Sequence, residues 1–280
     1  MKIDSPEALV AYLDILGYSE LVKSEEHANI YYSAIESAIS NWQHCLEKKK
    51  FNLGLIVKKH ITVHILGDAF VVVLDQHAVL FEEGDNSAVR SHILLIFLAL
   101  VSFLVQDCMR QIKHLFRGAI VKGKYYQQKY ENLEGSTFIF SEGLCGAHRL
   151  EKNIANMPRI IIDKSALGAL EKSELGLLCR EDWPGRELLR DRDGFHYLNI
   201  YTSMVDNTAL ADILREVVSI ISLNLEKPFT PDIIGKYVWF ANYHNAFIRH
   251  IIESNAPASI PCFAEIKEKR NEMVIKIPDL

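Results

Sequence analysis

The sequence has little of what would mark an oxidising compartment. Its 5 cysteines are Cys45, Cys108, Cys145, Cys179 and Cys262. They are odd in number and scattered, and no two form a C-x-x-C pair, which argues against a disulfide framework and against a cysteine zinc site. Positive charge is not in excess either. The formal net charge is −5, so no attraction to nucleic acid or to an anionic membrane is implied, and neither is an expected partner. The most apolar run, Ile93 to Val105, has about two-thirds of the length that a bilayer span needs. It reads as a helix buried in a core or a subunit interface. Internal repeats, low-complexity segments and a G-x-x-x-x-G-K-[ST] phosphate loop are missing. The opening residues, Met1 to Pro6, have no signal-peptide character, and a cytoplasmic location is the expectation. What is present is ordinary for a globular chain: 49% hydrophobic and 24% charged residues over 280 positions, enough for one large or two small domains.

Residues 8–15 are an apolar run rich in strand formers and predict a buried strand that ends near Asp14. Gly17 lets the chain turn, and Ser19 or Ser24 offers an N-cap. Ile30, Ala34, Ile35, Ala38, Ile39 and Trp42 then recur at helical spacing. Lys48-Lys49-Lys50 suits the C-terminal end of that helix. A second strand is expected over 53–66, and Gly67-Asp68 fits a two-residue hairpin loop with glycine first. The returning strand covers 69–74. A polar loop at 82–86 leads into a long helix over 87–114. Strands are expected at 117–121, 124–130, 158–163 and 196–201, with a helix opened by Ser141-Glu142-Gly143 between them. From 207 the pattern is helical to about 226, and again from Thr230-Pro231 to about 254, with threonine as N-cap and proline in the first turn. Strand, helix, strand, strand, helix, strand from 8 to 121 is the ferredoxin-like order. The expected fold class is therefore α+β, a ferredoxin-like antiparallel sheet with flanking helices plus a C-terminal helical extension. The expected division is 1–203 and 204–280.

Asp14 and Asp68 fall at the ends of these buried strands, where a carboxylate is costly unless a charge meets it. A hard divalent cation, which takes oxygen ligands, is the simplest such charge. The two aspartates read as one two-metal site, although either alone could merely cap a turn or helix. His60 and His64 lie four apart on the expected second strand, which would separate them by about 13 Å. They are not expected to share a metal.

These segments resemble a known family. Leu13-Asp14-Ile15-Leu16-Gly17 and Leu66-Gly67-Asp68-Ala69-Phe70 are similar to the metal-binding segments of the class III nucleotidyl cyclases. Leu115-Phe116-Arg117-Gly118 through Gly123 resembles the family's arginine-bearing strand, and Ala147-His148-Arg149-Leu150-Glu151 the end of its catalytic helix. The four pieces come in the family's order over roughly residues 5–165. The resemblance implies the family's palm fold and its reaction, attack of a 3′-hydroxyl on the α-phosphate of a nucleoside triphosphate with diphosphate leaving. It implies two divalent cations, Mn²⁺ or Mg²⁺, held by Asp14, Asp68 and the backbone carbonyl of Ile15. Arg117 would hold the terminal phosphates, and Arg149, whose planar fork reaches two oxygens, the transition-state phosphate. A homodimer is implied, because in the family one subunit supplies the base pocket and the helix arginine and the other supplies the metal site. One position departs. The asparagine that the family places one helical turn before that arginine is here Cys145, a poor hydrogen-bond partner. That leaves the ribose contact open, and keeps a catalytically inactive, dimeric nucleotide-binding module as an alternative.

The base pocket is expected at His64 and Phe138. In the purine cyclases of the family a lysine and a polar residue read the base edge from these two places. Phe138 adds bulk where a purine needs room and offers a face on which a smaller ring can stack. His64 can donate or accept, and so suits uracil or cytosine. The resemblance is thus closest to the bacterial pyrimidine cyclases of the Pycsar antiphage systems. It implies conversion of UTP, in preference to CTP, into cyclic UMP that activates a separate effector protein. A cytidylate cyclase and a purine cyclase are the alternatives within the enzyme class.

Overall fold

The computed structural model describes residues 6–18, 25–48, 52–129, 137–168, 170–180, 186–201, 210–254 and 261–278. The proposed N-caps Ser19 and Ser24 and the 203/204 division lie outside these residues. The first strand, β1 (Glu7–Ile15), is the axis of the fold. On one side it pairs antiparallel with β3 (Ala69–Asp75), and on the other with β4 (Phe116–Lys129). β2 (Ile61–Leu66) joins β3 through the Gly67-Asp68 turn. Gly67 has φ +63°, the left-handed region that a first-position hairpin glycine supplies without a Cβ clash. The sheet order β2-β3-β1-β4 is the ferredoxin-like arrangement expected from the sequence. It is extended past β4 by β6 (Ile160–Ile162), β8 (His196–Leu198) and β7 (Leu188–Arg190), with β4·β6 parallel and two short helices, α6 (Lys164–Leu167) and α7 (Lys172–Leu178), between β6 and β7. β5 (Thr137–Ser141) pairs with the far end of β4.

The alternation along β1 separates two buried faces. Leu9, Leu13, Phe70, Val72, Phe116 and Ile120 point to one face, the large core. There α1 (Glu25–Lys48) and α4 (Ser87–Ile112) cover the sheet. Asn86 caps α4, its Oδ1 accepting from the Val89 amide at 2.9 Å. Val10, Val71, Val73 and Tyr125 point to the other face, which α5 (Glu142–Asn153) covers over β1 and β4. α5 is capped by Ser141, whose Oγ accepts from the Leu144 amide at 2.9 Å. Its seat on the sheet depends on two glycines: a Cβ on Gly123 would lie 2.8 Å from Gly143 Cα.

Several segments depart from the sequence reading. Residues 53–60 are not strand but belong to a helix, α2 (Asn52–His60), closed by Lys58, Lys59 and His60, the charge that a helix C-terminus favours. His60 therefore does not share a strand with His64; its Nε2 lies 2.7 Å from Glu82 Oε1. Glu82 and Glu83 end a further helix, α3 (Gln76–Glu83), which leaves only Gly84 to Asn86 as loop. The strands expected at 117–121 and 124–130 are one strand, because Gly123 is a packing contact rather than a break.

Among the described residues α4 is the one helix long and apolar enough to cross a membrane. Here Ile93, Leu94, Phe97, Val101 and Leu104 sink into the main core. The extension packs on its own chain: Leu214, Val217 and Ile221 of α8 (Leu210–Leu225) and Phe240 and Ile248 of α9 (Pro231–Glu253) share that core. Tyr243 Oη donates to Asn199 Oδ1 at 2.7 Å and accepts from the Ile200 amide at 3.1 Å. Arg110 Nε donates to Glu216 Oε2 at 2.7 Å. Two short helices, α10 (Pro261–Glu268) and α11 (Arg270–Met273), follow.

Candidate functional site

The two aspartates meet. Asp14 stands opposite Ala69 on β3 and opposite Arg117 on β4. The next amide, that of Ile15, donates to the Asp68 carbonyl at 3.1 Å. Tyr12, Asp14 and Arg117 share a sheet face with His64, which is paired with Val71. This is the face that α5 covers.

Arg117 closes the cluster. Its Nε donates to Asp14 Oδ2 at 2.9 Å and lies 2.7 Å from Glu151 Oε1. That N–H is aligned on Asp14, and Glu151 Oε1 is held as an ion pair, buried without a hydrogen bond of its own. Glu151 comes from the last turns of α5 and is 3% exposed. Burial first, and then the Asp14 charge against the pull of Arg117, raises its carboxyl above the ordinary range. Asp14 is raised too, first by burial and then by Asp68, while Arg117 opposes. Burial and the same carboxylates push the Tyr12 phenol to about 12. Two carboxylates, Asp14 and Glu151, therefore share one guanidinium, and the Asp68 charge acts on both.

That donor set is hard and carries more negative than positive charge, and it includes a buried carboxylate oxygen that has an ion pair but no hydrogen bond. It fits a divalent cation better than any soft metal. No group of three His, Cys, Asp or Glu side chains is gathered at ligating distance among the described residues. The residues that could hold cations are thus Asp14 and Asp68, with Ile15 tied to Asp68 through its amide.

Glu151 is the member to which the sequence alone assigned no role of its own. The signal available was its place in the helix, two residues beyond Arg149. Replacing it with glutamine should raise the stability of the metal-free protein by about 1 kcal/mol, since the amide sheds a charge that burial penalises and keeps an oxygen for Arg117. The sign follows from the raised carboxyl. An acid whose folded pKa lies above its unfolded one contributes stability at low pH that is lost as pH rises through the folded value. The advantage of Glu151→Gln should therefore be present at neutral pH and vanish in the ordinary carboxylate range, as read from urea midpoints across pH.

Arg149, Cys145 and His148 are exposed on α5. No ion pair joins Arg149 to either Glu142 or Glu151 among the described residues, and the charges acting most strongly on Asp14 are those of Arg117, Asp68 and His148. Arg149 is thus not gathered with the aspartates within one chain. His64 Nε2 lies 3.0 Å from Tyr125 Oη, which donates to Gln127 Oε1 at 3.0 Å. Burial lowers the His64 pKa. Phe138 sits on β5 opposite Gln128, edge-on to Tyr126 with ring centroids 6.4 Å apart. Leu66 (47%), Phe138 (39%) and Phe140 (56%) are exposed.

No family model matches this chain, and no curated protein matches it. Solved structures do. The adenylyl cyclase CyaB from P. aeruginosa overlays with a TM-score of 0.42 and 13% identity, covering 71% of this chain and 95% of that one. The non-canonical dimeric guanylyl cyclase domain of the RhoGC fusion protein from the aquatic fungus Blastocladiella emersonii overlays with a TM-score of 0.43 and 12% identity, covering 69% and 93%. Neither overlay assigns a residue or a substrate to this chain.

Proposed function

We propose that this chain is a nucleotidyl cyclase of the class III type, acting on a pyrimidine nucleoside triphosphate. The observation that carries the reading is the convergence of Asp14 and Asp68 at one sheet end, with Arg117 opposite, on the face where α5 presents Arg149 outward. Bound divalent cations would lower the pKa of the 3′-hydroxyl and offset charge on the phosphates. The protein's own groups do the rest. Asp14, Asp68 and the Ile15 carbonyl would hold the cations. Arg117 pairs with Asp14, and its fork suits terminal phosphate oxygens. Arg149, unpaired within its own chain among the described residues, serves the α-phosphate in the site of a second subunit, in a homodimer with composite sites. The exposed Leu66, Phe138 and Phe140 favour such an association.

His64 and Phe138 would take the base, with UTP as substrate and cyclic UMP as product. The messenger role in antiphage defence, through a separate effector in the cytoplasm, rests on the sequence resemblance alone. With the Tyr125 hydroxyl donated to Gln127, His64 would donate through Nε2 and accept through Nδ1. An acceptor there suits the cytosine amino group as well as the uracil N3–H, so a cytidylate cyclase is the second reading.

Purified protein incubated with each of the four ribonucleoside triphosphates and Mn²⁺ separates the readings. Cyclic pyrimidine product is expected, and no product from any of the four would leave the non-catalytic module. Better turnover of ATP or GTP would replace the pyrimidine pocket with a purine one. Phe138→Ala should admit some purine, losing about 1–3 kcal/mol of discrimination in kcat/KM.

A further inference from the structure

The C-terminal helices help to form a cavity. It lies between the turn after β1, the N-terminal half of α1, the end of α4 and the start of α9, and its volume is about 520 Å³. Pockets for small organic ligands have this size. Its walls are largely apolar, with Ile112 and Ile233 beside the rings of Tyr31, Phe229 and Tyr237. Phe229 and Tyr237 stack with centroids 5.9 Å apart and planes 7° apart.

Charge completes the cavity. Lys113, Lys227 and Lys236 also line it. Lys113 Nζ donates to Glu216 Oε1 at 2.7 Å, but Arg110 binds the same carboxylate. Lys236 pairs with Asp232 at 2.8 Å. Lys227 meets the neutral Asn224 Oδ1 at 2.9 Å and lies 5.7 Å from the Phe229 centroid. Among the described residues, three lysines thus line the cavity, and the two carboxylates that pair with them are Glu216, shared with Arg110, and Asp232. This surplus of positive charge stands on a chain of net charge −5. Aromatic walls with an excess of ammonium groups are complementary to a flat ring that carries a phosphate.

The remaining wall is Leu16-Gly17, the turn that follows Asp14-Ile15. His114 Nδ1 donates to the Leu16 carbonyl at 2.9 Å, so one side of the cavity holds the segment that leads out of the candidate active site. We propose that this cavity is a second ligand site, for a nucleoside monophosphate, with the Leu16-Gly17 turn as one of its walls. The site is distinct from the one built on Asp14 and Asp68 and does not depend on catalysis.

Calorimetric titration in EDTA, which removes any binding that needs cations, tests this with each of the four nucleoside 5′-monophosphates as probes. At least one should bind saturably, and uridine or inorganic phosphate each about tenfold more weakly or worse. Lys227→Gln with Lys236→Gln should weaken the monophosphate by about tenfold or more, with an unchanged melting temperature in its absence. Ile233→Trp, which keeps every charge and fills the cavity, should abolish binding, while Asp68→Asn should leave it intact. Four results would overturn the proposal: no saturable binding, equal binding of phosphate alone, indifference to both cavity variants, or loss in Asp68→Asn, which would place the ligand at the aspartates.

Discussion

Asp14→Asn and Asp68→Asn proteins should each lose cyclic-nucleotide formation, by on the order of 10³-fold or more, and remain folded. Both carboxylates belong to the same cation pair in the proposed site, so removing either weakens both ions. The fold has little reason to suffer. Asp14 is held above its ordinary carboxylate range by burial, and Asp68 adds to the penalty. A raised acid contributes stability below its unfolded pKa that is lost as pH rises through its folded value. At neutral pH the ionised Asp14 thus weighs against the metal-free protein, offset in part by Arg117. Asparagine keeps an oxygen for the Arg117 Nε–H and sheds the charge. The metal-free Asp14→Asn protein should melt no lower than wild type at neutral pH, and Mn²⁺ should raise the melting temperature of wild type alone. Substantial turnover by either variant at saturating Mn²⁺ would remove the metal assignment.

The residues of this site were unequally legible in the sequence. Asp14 and Asp68 could be read because strand ends and hairpin turns leave local marks: an apolar run that stops, and a glycine in the first turn position. Pairing the two needed only the assumption that β1 lies beside the hairpin, which the Asp14–Ala69 register bears out. Arg117 was legible as a strand-start charge, but not its engagement with Asp14 and Glu151, because cross-strand register is a long-range property. Glu151 was hidden for the same reason. Helical periodicity shows which residues share a face of α5, not which of them reaches the sheet. Gly123 was misread because a glycine needed for close approach to Gly143 looks, in one dimension, like a strand break. The helical tail was legible as two helices. That they would close a cavity against the Leu16-Gly17 turn was not, since no local signal records where a tail docks.

Subunit mixing should restore activity that neither parent has. An Asp68→Asn protein lacks the cation site in every chain, and an Arg149→Ala protein lacks the helix arginine. Each is expected to be inactive alone. If the aspartates of one chain work with Arg149 of the other, a mixed dimer holds one doubly damaged site and one intact site. Equal mixing with free exchange makes half of the dimers mixed, so recovery should approach roughly a quarter of wild-type turnover in a two-fold symmetric assembly. The exposed position of Arg149, without an ion pair among the described residues of its own chain, is what makes the shared arrangement the expected one. The carboxylate beside it on α5, Glu151, is already committed to Arg117. A surface arginine with only a structural role would give a different result: Arg149→Ala alone would keep its activity, and mixing would add nothing. Exchange itself is read independently, from the mass of mixed dimers in which one parent carries a heavier tag. Mixed dimers without recovered turnover would put each complete site within one chain.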